Sequence, residues 1–407
     1  MKTQTSKIPF TPYQRIVILL LALTQFSVVL DFMVMSPLGD LLIKELKISP
    51  SQFGIVVSSY ALAAGTSGFL TASFADKFDR KKLLLFFYSG FILGTFLCGI
   101  STSYEFLVVA RILTGIFGGV ISSISLAIVA DLFDLNHRGR VMGYLQMGFG
   151  MSQILGIPIS LFLANQFNWK APFFLIVGMA VVIFLITFIV LKPVNEHLNY
   201  QKDNPLLHLL KTLRNKEYRI AYLATAFMSL GGYLMMPWGS AYSVNNIGIQ
   251  QDDLPLLFMV VGIATLLIMP VVGIMSDRFN KFQVFTFASI QMVLAVIIYT
   301  NLPHVNLTVL ILVNIFMMAG IMARMVPAQA LNASIPGIAD RGAFMSINSS
   351  LQQLAGGFAA LLGGAIVTQK NEFSPLERFD VLGWVVIVII LTNIYLTSRV
   401  YALVAKR

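Results

Sequence analysis

Asp31 lies in the apolar run LLLALTQFSVVLDFMVM, and Arg111 lies in FLVVARILTGIFGGV. Each is the lone charge of its stretch. A charge at the centre of a bilayer costs about 2.5–3.5 kcal/mol on insertion scales, so a carboxylate and a guanidinium at matching depth are expected to compensate each other. Asp31 stands about six residues before the end of its apolar segment and Arg111 about five after the start of the other, which runs the opposite way. The two therefore lie at similar depth. A carboxylate so placed can take up and release a proton, whereas the guanidinium stays charged at any useful pH; the plainer alternative is a structural salt bridge. A third lone charge, Arg324, has no acid at matching depth in the neighbouring segments. It can face an anionic substrate, a carbonyl-rich turn or water.

The segments that hold these groups are membrane spans. Of 407 residues, 57% are hydrophobic and 11% charged, against about 25% charged in an ordinary soluble domain. Uncharged runs such as 48–75, 83–104, 141–169 and 220–251 exceed the roughly 20 residues that cross a bilayer as a helix. The alternating polarity of barrel strands is absent, so helices are the remaining way to satisfy the backbone in lipid. Spans 1 to 6 are expected at 16–37, 53–75, 83–101, 106–131, 141–163 and 172–191. Spans 7 to 12 are expected at 220–240, 254–275, 284–300, 307–331, 343–366 and 380–400. Between the two sets lies the polar stretch 192–219.

The net charge of +10 does not indicate nucleic acid, because the basic residues cluster in alternate loops. On one side lie 21 of the 28 Lys and Arg residues, and 5 lie on the other. Basic loops stay cytoplasmic, so both termini are expected there. Short loops fit a cytoplasmic membrane protein. Cys98, the one cysteine, excludes a disulfide framework and a cysteine metal site. The four histidines, His137, His197, His208 and His304, are expected in loops, and no nucleophile or metal-ligand motif accompanies them. An enzyme is not indicated.

The chain repeats itself. SFADKFDRKK around Asp76 and IMSDRFNKFQ around Asp277 are offset by 201 residues. An offset of 203 superposes Arg138, Gly139 and Met142 on Arg341, Gly342 and Met345, and Ser152, Gly156 and Ser160 on Ala355, Ala359 and Gly363. Such a repeat implies two pseudo-symmetric six-helix bundles, 1–191 and 220–407, joined by a 192–219 loop, with a cleft between them. Small residues at every fourth position, Gly148, Ser152, Gly156 and Ser160, suit close helix packing, and an interface between sliding halves is one place for it.

These features resemble the major facilitator superfamily, whose loop 2/3 signature reads G-x-L-a-D-r-x-G-r-k. Gly273, Ser276, Asp277, Arg278 and Lys281 follow it with Asn280 at the second glycine, and Asp76, Lys77, Arg80 and Lys81 follow it with Ala72 and Asp79 at the glycine positions. Leu30, Asp31, Phe32 and Pro37, with Arg111, Gly115 and Gly118, resemble motifs of the drug:proton antiporters. Gly148, Gly156, Pro158 and Trp169 resemble the arabinose-efflux branch, with Ile157 interrupting the antiporter Gly-Pro pair. The resemblance implies twelve transmembrane helices, a cavity lined by spans 1, 4, 7 and 10, and a latch made by Asp76, Arg80 and Asp131 and by Asp277 and Arg278. Gln25, Tyr60, Tyr233, Trp238, Asn314, Arg324, Asn348 and Gln352 become candidate cavity residues.

The expected function is secondary active transport of a small organic molecule by alternating access, as proton-coupled efflux with Asp31 and Arg111 as coupling groups. Proton symport uptake would use the same parts in reverse, and a non-transporting receptor could share the fold. No cofactor beyond a proton gradient is implied. The expected partners are substrate, protons and the lipid bilayer, with no nucleic acid, and the protein is expected to act as a monomer.

Overall fold

The computed structural model describes residues 10–71, 74–195, 198, 205–337 and 340–405. Twelve long helical rods follow in sequence: Pro12–Val34, Pro50–Thr71, Arg80–Ile100, Tyr104–Leu132, a rod from Leu135 to Gln166, and Ala171–Val190, then a rod from Lys216 to Asn245, Leu254–Arg278, Lys281–Thr300, Leu307–Ala333, Arg341–Ile366 and Phe379–Ala405. Eleven are long and apolar enough to cross a membrane by themselves. The remaining rod, span 11, is diluted by Asn348, Ser349, Ser350, Gln352 and Gln353. Ile189 at 78% exposure and Phe287 at 76% stand among many large apolar side chains on the outside of the bundle, a surface that lipid rather than water would cover.

Local chemistry sets the ends of the rods. Thr11 and Gln14 form a capping box at span 1. At span 3 the Asp79 side chain accepts from the amides of Lys81 and Lys82, and at span 9 Asn280 accepts from Phe282 and Gln283. Asp79 and Asn280 hold the positions where the family signature has glycine, so the repeat puts an N-capping side chain there instead. Two rods are broken, where the sequence led us to expect continuous spans. Pro158 lacks an N–H and cannot continue the ladder; a π-helical turn at Ser152–Gly156 precedes it in span 5. Pro237 sits in a 3₁₀ turn, Met236–Trp238, that divides span 7 into Lys216–Tyr233 and Gly239–Asn245.

Two short helices were also unforeseen. Gly39–Leu46 follows span 1, and Pro205–Arg214 lies in the central loop. Both are short and amphipathic, too brief to register as apolar runs. His137 and His208, expected in loops, lie on helices, because Asp134 opens span 5 earlier than its apolar run and the loop helix takes in residue 208. His197 falls outside the described residues.

The starts of spans 1 and 3 meet the end of span 6: the Arg80 amide donates to the Val194 carbonyl at 3.0 Å, and the Lys192 amide donates to the Tyr13 hydroxyl at 3.1 Å. This face, where the described chain enters span 1 and leaves span 12, is called the terminal face below. Between the two bundles, spans 2 and 11 approach so closely that a Cβ at Gly54 would lie 2.7 Å from the Ala360 carbonyl oxygen, and one at Gly65 would lie 2.9 Å from that of Ser350. Spans 5 and 8 meet where Gly262 faces the Gln153 backbone at 3.1 Å. The expected stripe on span 5 does pack closely against another helix, within its own bundle and not between the halves. Gly148 and Ser152 pack on the Ala22 and Phe26 backbone, and Gly156 packs on Leu30, all in span 1 of the same bundle. Gly363 likewise packs on Leu234 and Trp238 of span 7. The stripes knit each bundle internally, and glycines on other faces join the bundles.

Candidate functional site

Asp31 and Arg111 meet. Arg111 Nη1 donates to Asp31 Oδ2 at 2.7 Å, and both side chains are excluded from solvent. Thr95 Oγ1 of span 3 donates to the other carboxylate oxygen at 3.2 Å. The depth match read from the apolar runs thus gives contact, and Thr95 completes the carboxylate's shell. Charge-assisted bonds of this kind are the strong ones.

The guanidinium is held by more than its ion pair. Its carbon lies 4.5 Å from the centroid of the Tyr60 ring, a cation–π distance. Gly115 and Gly118 let span 4 approach span 2 here, because a Cβ at Gly115 would lie 2.4 Å from the Tyr60 carbonyl oxygen and one at Gly118 would lie 2.8 Å from the Tyr60 hydroxyl. Arg111 Nε is buried with no hydrogen-bond partner among the described residues. The Tyr60 ring continues outward: Phe32 lies 5.4 Å from it and 5.7 Å from Tyr233 of span 7. An aromatic chain therefore runs from the ion pair to the second bundle. Phe32 carries that link and Thr95 carries the hydrogen bond, yet neither was a candidate. Phe32 entered only as part of the first-span motif around Asp31, and Thr95 is a hydroxyl in a long span, so nothing pointed to the contacts they make.

The other candidates disperse. Gln25 accepts from Ser122 of span 4 at 2.9 Å, a link inside the first bundle. Asn314 donates back to the Leu310 carbonyl of its own helix. Asn348 is half-buried with its Oδ1 unpartnered among the described residues, and Gln352, one turn on, is exposed. Trp238 is fully buried against Phe53, ring centroids 5.5 Å apart, with its indole N–H on the Leu234 carbonyl. It belongs to the packing between bundles, away from any open surface. Arg324 is also buried, and its Nε donates to Ser289 Oγ at 3.1 Å while its guanidinium lies 5.6 Å from the Phe285 ring.

The face opposite the chain ends is closed. Ser36 Oγ donates to the Met236 carbonyl, Ser240 Oγ to the Ser36 carbonyl at 2.9 Å, and Asn245 Nδ2 to Asp40 Oδ1 at 2.6 Å. The Asp40 amide donates to Ser240 Oγ at 3.4 Å, and Asn165 Nδ2 to the Gln251 carbonyl at 3.2 Å. Among the described residues, every hydrogen bond between the bundles lies at this face. Lys44 neutralises the buried Asp40 at 2.7 Å.

At the terminal face Arg80 bridges Asp131 at 3.2 Å and donates to the Ala75 carbonyl. Both partners belong to the first bundle, so the bridge fixes spans 3 and 4 to each other. The Asp76 side chain lies outside the described part of the structure. Asp277 and Arg278 are exposed and make no ion pair with any described residue. Ser334, which stands at the repeat position of Asp131, bonds among the described residues only to its own helix. The two signature loops share a sequence and differ in what they hold.

Twelve helices in a twofold repeat, with one face sealed between bundles and an ion pair inside the first, define a membrane transport protein. The chain belongs to the Major Facilitator Superfamily, whose pattern matches residues 21–360 and again 221–404. It is 24% identical over 373 residues to the uncharacterized MFS-type transporter YbcL of Bacillus subtilis, covering 91% of this chain and 94% of that one. Multidrug resistance protein 3 of the same organism is 28% identical over 152 residues, 37% of this chain and 29% of that one. Among solved structures, a D-xylose-proton symporter superposes with a TM-score of 0.77 at 17% identity, over 94% of this chain and 97% of its own. The fold is a transporter's and the chain is not an enzyme.

Proposed function

We propose that the protein exports a small organic molecule by exchange for protons, with Asp31 as the protonation switch and Arg111 as the fixed charge that reports the position of the bundles. The buried ion pair carries this reading. Asp31 is the acid that a proton could neutralise inside the span, and its neighbour cannot release a proton in its place. Burial and the adjacent guanidinium act on the carboxyl in opposite senses, so a change in their separation or hydration shifts the balance between proton and guanidinium. The Tyr60, Phe32 and Tyr233 rings connect that separation to the second bundle. The partial likeness to a multidrug resistance protein supports the outward direction.

Residues 1–191 and 220–407 act in this proposal as the two rocking units, and 192–219 as their tether. The asymmetry of basic residues supports a terminal face in the cytoplasm of a cell membrane. Arg80 and Asp131, with Asp76, shape the conformational equilibrium there, and the exposed Asp277 and Arg278 contribute less to it. Everted vesicles acidified inside decide the direction. Accumulation of substrate in them is expected for proton-coupled efflux; extrusion from them would make the protein an uptake symporter.

A further inference from the structure

Arg324 is, like Arg111, a buried guanidinium against an aromatic ring, and it differs in what neutralises its charge. Arg111 has a carboxylate at 2.7 Å. Arg324, 5% exposed, has the neutral Ser289 hydroxyl at 3.1 Å and the Phe285 ring, and no acid within ion-pair distance among the described residues. Its Nη2 is buried without a partner among those residues. The charge stands nine residues before the end of span 10, about 14 Å along the helix from the terminal face. A guanidinium left unpaired at that depth costs several kcal/mol. Neutral Met or Leu would pack there without that cost.

The side chains around it are only partly enclosed. Met317, Met318, Ile321 and Met325 are each half-buried, and Pro327, three residues on, leaves the Ala323 carbonyl without its usual helical donor. Thioether side chains adapt to varied apolar shapes, and Met292 of span 9 lies against Gly320 one turn away. The site thus offers a fixed positive charge with a free N–H, an aromatic ring and a deformable apolar wall.

We infer that Arg324 is an anion subsite, and that the transported molecule is an organic anion: a carboxylate or similar single negative charge on an apolar body. This rests on the transport function proposed above and names its substrate class. The anion supplies the partner that the chain withholds, and the guanidinium is paired only in the loaded state. A small inorganic anion has the same charge but nothing for the Met and Phe wall to hold.

Thermal unfolding of the detergent-purified protein tests this without any gradient. The probes are sodium benzoate, its neutral counterpart benzamide, and sodium chloride, compared at constant ionic strength. Benzoate is expected to raise the unfolding temperature saturably, with benzamide and chloride giving at least tenfold weaker responses. Arg324→Gln should weaken the benzoate response at least tenfold. Ser289→Asp builds a carboxylate beside the guanidinium; it should raise the unfolding temperature by itself and abolish the response. A benzoate response that survives in Ser289→Asp, or equal responses to benzoate and benzamide, would overturn the assignment. A chloride response equal to that of benzoate would overturn the organic substrate. Binding in detergent requires no pH gradient, so loss of anion binding is read here and loss of proton coupling only in the gradient-driven flux assay, and the two are separately visible.

Discussion

The two bundles descend from one repeated pattern, yet they treat charge in opposite ways. In the first, the buried Arg111 is matched by Asp31, whose other carboxylate oxygen accepts from Thr95, and Arg80 at the start of span 3 is matched by Asp131. In the second, the buried Arg324 has a hydroxyl and a ring, and the loop charges Asp277 and Arg278 stand exposed. The repeat preserves what packing needs: an N-cap at spans 3 and 9, and small residues that seat span 5 on span 1 and span 11 on span 7. Under the proposed function, charge is free to diverge because it serves gating and binding more than the bundle's shape. The first bundle carries an internally balanced pair, and the second carries a charge that awaits a partner.

The sharpest way to break this contrast is to neutralise each arginine. Arg111→Gln strands a buried carboxylate, and losing one partner of a buried pair costs about 3–5 kcal/mol; the Asp31→Asn, Arg111→Gln double variant should recover most of that loss. Arg324→Met removes an unpaired charge and should leave the unfolding temperature unchanged or raise it. Equal destabilisation by Arg111→Gln and Arg324→Met would show that the second guanidinium also has a partner.

A smaller effect separates contacts between bundles from contacts with lipid. Gly54→Val places side-chain atoms against the Ala360 carbonyl, 2.7 Å from the Cβ site, and overpacking of this kind costs about 1–3 kcal/mol. Gly178 has nothing within 4 Å of its Cβ position, so Gly178→Val should stay within about 0.5 kcal/mol. Thermal unfolding reads both, and transport should fall with the first alone. If Gly54→Val is silent, the close approach of spans 2 and 11 is not maintained in the membrane.

The signature loops should differ least. Arg80→Gln breaks a partly exposed bridge, worth about 1 kcal/mol at most, and should lower flux severalfold through the conformational equilibrium. Arg278→Gln should change flux by less than twofold. Equal losses would restore a symmetrical latch.

The fold was legible because lipid leaves little choice: long uncharged runs must be helices, and alternate basic loops number them. The Asp31–Arg111 contact was legible for the same reason, since two costly charges at one depth have to meet. The breaks at Pro158 and Pro237 escaped because hydropathy does not register a missing N–H. The destination of the span 5 stripe escaped because small residues at every fourth position mark close packing without naming the neighbour. Trp238, read as a cavity residue, packs at the seam because an aromatic ring suits an apolar interface as well as a pocket. Thr95 gave no signal, and Phe32 stood only as a letter of the first-span motif; the contacts of both are set by which helices stand beside them.

The central claim is that Asp31 couples protons to substrate, and uphill flux in proteoliposomes under an imposed pH gradient tests it most directly. Asp31→Asn keeps the shape of the side chain and removes its titration. The account predicts that this variant fails to concentrate substrate while still exchanging labelled substrate across the membrane without a gradient. If Asp31→Asn concentrates substrate with the wild-type dependence on the gradient, the ion pair is structural and the coupling acid lies elsewhere.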